Sequence, residues 1–126
     1  MAQFSTAAQR TVEDFATNVG LTATPAPDGS YGFELSRSGT LSLTPSDSGD
    51  RVIVSLARVP HRSDISIERR LLELAGLDPT TNTFVHSGLA EDGNIVLSID
   101  VGEGLFDLAT LDAVLQRLIE LHASID

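Results

Sequence analysis

Three short polar turns do most to decide what this chain can become. "SRSG" (36–39) follows a stretch in which Tyr31, Phe33 and Leu35 alternate with Gly32, Glu34 and Ser36; after it, Leu41 and Leu43 alternate with Thr40, Ser42 and Thr44. "TPSDSGD" (44–50) leads into "RVIVSLARV" (51–59), and "AEDG" (90–93) separates "TFVHSGL" (83–89) from "NIVLSIDV" (94–101). A period of two is the pattern of strands with unlike faces. Connections this short close hairpins, because parallel neighbours need a crossover of a dozen residues or more. The strands therefore form a mostly antiparallel sheet. In the third, Val52, Val54 and Leu56 oppose Ile53, Ser55 and Ala57. It is the most apolar on both sides, which places it centrally, with Leu41 and Leu43 nearer an edge.

Around these hairpins lie three helical patterns. Residues 4–19 repeat Phe4, Ala8, Val12, Phe15, Ala16 and Val19 at three- and four-residue spacing, and Gly20-Leu21 is a stop signal. The stretch 66–76 follows, with Ser66 as a cap, Glu68 in its first turn and Gly76-Leu77 as its end. Residues 108–123 form the third, with Asp107 as its cap and Leu108, Leu111, Leu115, Leu118, Leu121 and His122 as its stripe. "TATPAPDG" (22–29) is a surface connection. The order αβββαββα gives an α+β fold, a twisted sheet covered by helices. At 126 residues it is expected to be a single domain spanning 1–126. Apolar residues on both sides of several strands also fit helices packed on both faces.

The middle helix carries more apolar surface than one contact requires. Ile67, Leu71, Leu74 and Ala75 form a stripe fit for the sheet, yet Ile65 and Leu72 fall to one side, among arginines. Unless a second molecule covers it, Leu72 beside Arg69 has no place to go.

Composition limits the functions. The chain has 18 acidic and 8 basic residues, a net charge of −10, which is the wrong sign for holding nucleic acid or an anionic membrane. All the basic residues are Arg, and those at 51, 58, 62, 69 and 70 make one region less acidic than the rest. With no cysteine, thiol catalysis and thiolate zinc sites are excluded. The start, "MAQFSTAAQR", lacks the features of a signal peptide, and no stretch approaches the ~20 apolar residues of a membrane span, so a cytoplasmic location is expected. His61, His86 and His122 share no metal-ligand spacing and no nucleophile motif accompanies them. His61 reads as a loop residue, His86 as a strand residue and His122 as a favourable charge at a helix end. "VGEG" (101–104) lacks the third glycine and the lysine of a phosphate loop, and Glu91-Asp92 sits in a turn where acids are common. No enzyme activity, metal or cofactor is expected.

"VEDFATNVGL", "GFELSRSGTLSLT", "RRLLELAGL" and "EDGNIVLSIDVGEGLFDLATLDAVLQRLIELHA" occur in an order that resembles the class I type III secretion chaperones, the Tir-chaperone-like family. The resemblance runs from about residue 8 to 124 and rests on pattern rather than on any single motif. It implies a homodimer that works without ATP or cofactor. It also implies that the dimer binds the amino-terminal region of one secreted effector in extended form and keeps it competent for secretion. The family's dimer interface lies largely on the helix after the third strand. That assigns Ile65, Arg69 and Leu72 to the twin subunit and leaves Ile67, Leu71 and Leu74 to the home sheet. Family effector patches lie between the first helix and the early strands, which points to Phe4, Val12, Phe33, Leu35, Leu41, Leu43 and Val54, core and patch not yet separated. A small cytoplasmic interaction or regulatory domain of similar topology, not tied to secretion, is the alternative.

Overall fold

The computed structural model describes residues 4–35, 38–60, 66–79, 83–90 and 93–125. Its first helix, α1 (Thr6–Val19), begins two residues later than the apolar spacing suggests, because Ser5 is its cap: the Ser5 hydroxyl accepts from the Ala8 N–H at 3.1 Å. Gly20 takes the left-handed conformation (φ 74°), and the Leu21 N–H reaches back to the Ala16 carbonyl at 2.8 Å. This is the stop that the Gly-Leu pair signals.

Strands β1 (Tyr31–Leu35), β2 (Gly39–Pro45) and β3 (Arg51–Arg58) follow, then α2 (Ser66–Leu74), β4 (Gly76–Asp78), β5 (Thr83–Leu89), β6 (Ile95–Gly102) and α3 (Leu108–Ile125). A 3-10 turn at Glu103–Leu105 joins β6 to α3, whose first turn is capped by Asp107 accepting from the Thr110 N–H at 2.7 Å. The strands form one sheet in the order β1-β2-β3-β6-β5-β4, with every pairing antiparallel. β3 is central, beside β6, as its two-sided apolarity predicts.

The sequence reading does not contain β4. There the helix continues to residue 76, whereas α2 ends at Leu74 and the next three residues pair with β5, Leu77 opposite Phe84 and Asp78 opposite Thr83. Ala75, assigned to the helix stripe, is exposed beyond the helix end. Asp78 is what holds this strand. Its buried carboxylate accepts from Arg117 of α3 through Nε at 3.0 Å and Nη2 at 2.8 Å.

Register sorts the side chains. Tyr31 and Leu43 are partners, as are Phe33 and Leu41, Leu43 and Val54, Leu41 and Leu56, Val54 and Ile99, and Leu56 and Leu97. Opposed residues share a face, and all of these are buried. Against this face lie α1, with Phe15 edge-on to Phe33 at 5.5 Å, α2, whose Leu71 carbonyl accepts from the Ser87 hydroxyl at 2.9 Å, and α3, with His122 at 2.8 Å from the Leu56 carbonyl. The helices thus cover one face, not both. The opposite face carries Ser42, Ser55, Ala57, Val96 and Ser98, half-buried by their neighbours alone, and the exposed Glu34, Phe84 and His86. Its small and polar residues, including the Ser55–Ser98 hydroxyl pair at 2.7 Å, make an open face affordable.

Candidate partner-binding surfaces

The two described histidines differ in character. His122 lies in the last turn of α3. It is buried, with its ring nitrogen against the Leu56 carbonyl, and so pins the last turns of α3 to the middle of the sheet. His86 is an exposed residue of β5 whose Nε2 lies 3.9 Å from Asp100, a carboxylate also 3.9 Å from Arg51. His61 and Glu91-Asp92 lie outside the described residues. Among the described residues, no three His, Cys, Asp or Glu side chains stand close enough to hold a metal ion. Nor is any described helix long and apolar enough to cross a membrane.

Among the described residues, apart from the exposed Val59 and Leu89, uncovered apolar surface gathers in three places. One is on α2 and the neighbouring sheet edge. Ile67 and Leu71 are buried against the sheet and Leu74 is half-buried, as the stripe predicts. Leu72 projects away and is 77% exposed. Leu77 and Phe84, cross-strand partners at the β4–β5 edge, are 61% and 60% exposed. Leu72 stands on the helix side and the Leu77–Phe84 pair on the open face of the sheet, so this end of the fold carries bare apolar surface on both sides. Arg69 is exposed on the same helix, and Ile65 lies outside the described residues.

A second place is a groove of about 460 Å³ between the end of α1, the end of β1 and α3, lined by Val19, Leu21, Leu35, Leu115 and Ile119, with Glu34 and Ser38 beside them. A third groove, of about 620 Å³, runs along the other flank of α3, where Val101, Leu105, Ala109, Ala113 and Val114 supply apolar walls and Arg51 and Asp100 contribute polar groups. Leu105, on the 3-10 turn, stands 71% exposed at its lip.

The residues assigned to a client patch from sequence divide unevenly. Phe4, Val12, Phe33, Leu41, Leu43 and Val54 are all buried core, four of them at 0% exposure, and a side chain with no free surface offers nothing to a partner. The cause is the one-sided helix layer: α1 and α3 lie on the strand face that carries these residues. Leu35, half-buried at the end of β1, is the one that reaches a groove. Leu77, Phe84 and Leu105 went unnoticed in the sequence. The alternation in "TFVHSGL" does put Phe84 opposite Val85 in facing, but only the sheet order shows which side is bare.

The arginine-rich region is partly committed. Arg70 donates to the Ile125 carbonyl, tying α2 to the end of α3, and Arg51 lies near Asp100. Arg117 has its pKa raised, first by hydrogen bonding to Asp78 and then by the nearby charges, against the opposing effect of burial.

Comparison with known proteins places this fold. No family model matches the chain, and no curated protein matches it. Solved structures do. A chain of the ExsC–ExsE complex superposes with a TM-score of 0.75 at 17% identity, covering 94% of this chain and 92% of its own. A chain of the HopA1–SchA chaperone–effector complex gives 0.71 at 19% identity, covering 92% and 90%. The Yersinia pestis type III secretion chaperone SycH, in complex with a stable fragment of YscM2, gives 0.67 at 15% identity, covering 94% and 99%. The chain therefore has the α+β fold of the type III secretion chaperones.

Proposed function

We propose that this protein is a secretion chaperone: a homodimer that binds the amino-terminal region of a type III effector in extended form and keeps it competent for secretion, without ATP or a cofactor. The observation that carries the reading is the uncovered apolar surface on a fold of this kind. Leu72, Leu77 and Phe84 stand bare at one end, and an apolar groove lies on each flank of α3. The structures that share the fold include a chaperone–effector complex.

The two kinds of surface suit two kinds of partner. Leu72, with Arg69 and Ile65, is assigned to the twin subunit; Leu77 and Phe84 lie at the same end of the fold but on the open face of the sheet, away from the helices. A two-fold axis there would let each copy bury the other's leucines, so one patch serves both sides of the contact. The grooves suit an unfolded client, whose side chains enter apolar recesses one at a time. Leu35 keeps its place in the client site, joined by Val19, Leu21, Leu115 and Ile119 in place of the six core residues. The work is binding and release, with no chemical step, in the cytoplasm where the effector is made.

Copurification is the test. The chain, expressed with the product of the neighbouring gene, should retain that protein through size exclusion, and deleting the partner's amino-terminal region should abolish retention. A neighbour that never associates, or that associates equally well without its amino-terminal region, contradicts the reading.

A further inference from the structure

The two grooves flank one helix, and the surface between them has a definite chemistry. Ala113 and Val114 point to one side of α3, Leu115 and Ile119 to the other, as successive 100° steps around a helix require. The exposed back of the helix carries Ala109, Asp112, Ala113, Gln116 and Glu120. Its ridge is low where the alanines lie, so a chain can cross there closely. Glu120 is paired with Arg117 at 3.4 Å, and Arg51 beside the far groove is matched by Asp100. Asp112 on the ridge and Glu34 beside the near groove have no ion-pair partner among the described residues. The track from groove to groove is thus apolar at both ends and negative in between, on a chain of net charge −10.

We propose that α3 and its two grooves form a track for one extended, net-positive peptide segment, which seats an aliphatic side chain in each groove and carries basic residues across the Asp112 ridge. This rests on the chaperone reading and specifies the client it takes. The length of the crossing follows from helix dimensions. A chain lying on top of the side chains, ~7 Å from the helix axis, travels about 22 Å round half the helix. The axial offset lengthens this diagonal to roughly 25 Å, about seven residues of extended chain at ~3.3 Å each. The client therefore carries two aliphatic anchors about seven residues apart, with Arg or Lys between them.

Fluorescence polarisation with synthetic peptides tests the geometry. The probe is a labelled peptide bearing two Ile anchors about seven residues apart, joined by Ser, Gly and Arg. Two companions are a peptide with the anchors about three residues apart and one with Glu in place of each Arg. The wild-type protein should bind the probe at least about fivefold more tightly than either companion. Asp112→Lys should weaken the probe about three- to fivefold and favour the Glu peptide. Ala113→Trp, which fills a groove, should weaken it about tenfold. Both positions are exposed, so circular dichroism should show the fold unchanged. Absence of binding, indifference to anchor spacing or charge, or wild-type affinity in both variants overturns the proposal. A neighbouring gene product that copurifies equally with wild type, Asp112→Lys and Ala113→Trp also overturns it while leaving the chaperone reading in place. Peptide binding as described, with no client ever retained, does the reverse.

Discussion

Gly39 has the least freedom to change of the described glycines. It sits at the start of β2 with φ 112°, and a Cβ there would lie 2.2 Å from the Ala57 carbonyl oxygen of the adjacent strand. A side chain adds backbone strain to a collision with main chain that cannot swing away. Gly39→Ala should cost more than about 2 kcal/mol in urea unfolding, whereas Gly32→Ala, with open space around it, should cost far less. Asp107 gives a pH-dependent counterpart. Its pKa is lowered from 3.8, chiefly by the Thr110 backbone N–H at the start of α3. A depressed carboxylate pKa contributes stability that is fully present above the unfolded value and is lost as pH falls through the folded value. The difference in melting temperature between wild type and Asp107→Ala should therefore hold at neutral pH and shrink as pH drops below 3.8. A gap unchanged down to the most acid pH would show that the charge of the cap plays no part.

Among the elements, β4 shows where sequence and structure part. The hairpins were legible because alternation and turn residues are local signals, and α2 was legible because Ile67, Leu71 and Leu74 recur at helical spacing. Three residues, Gly76–Asp78, are too few to show a period. The strand is held instead by Arg117, 39 positions away, through a pair whose Asp78 end is buried. Arg117→Met would remove the guanidinium that donates twice to that carboxylate. The expected loss is about 2–3 kcal/mol, less than for a fully enclosed pair because Arg117 keeps some solvent contact. Adding Asp78→Leu should recover most of it, since an apolar pair replaces the ionic one. A single variant as stable as wild type in chemical denaturation would remove this explanation for β4. Six of the seven residues assigned to a client patch are buried for a related reason: periodicity tells which residues share a face, as for Phe33 and Leu35, but not which face the helices cover. That depends on how α1 and α3 settle on the sheet.

At the scale of the molecule, the three helices and six strands among the described residues leave one strand face open and apolar side chains bare at the α2–β4–β5 end. Leu72 is visible in the sequence as a leucine off the stripe, and the structure leaves it 77% exposed on α2. We propose that the apolar surplus around Leu72 is the interface with a second copy. Light scattering coupled to size exclusion at micromolar concentration reads it directly. The wild type should elute at twice the 13.4 kDa chain mass, and Leu72→Asp, which sets a charge in the apolar contact, at 13.4 kDa with its far-ultraviolet spectrum preserved. A wild-type protein that runs at 13.4 kDa, or a Leu72→Asp variant that stays at twice that mass, would contradict it.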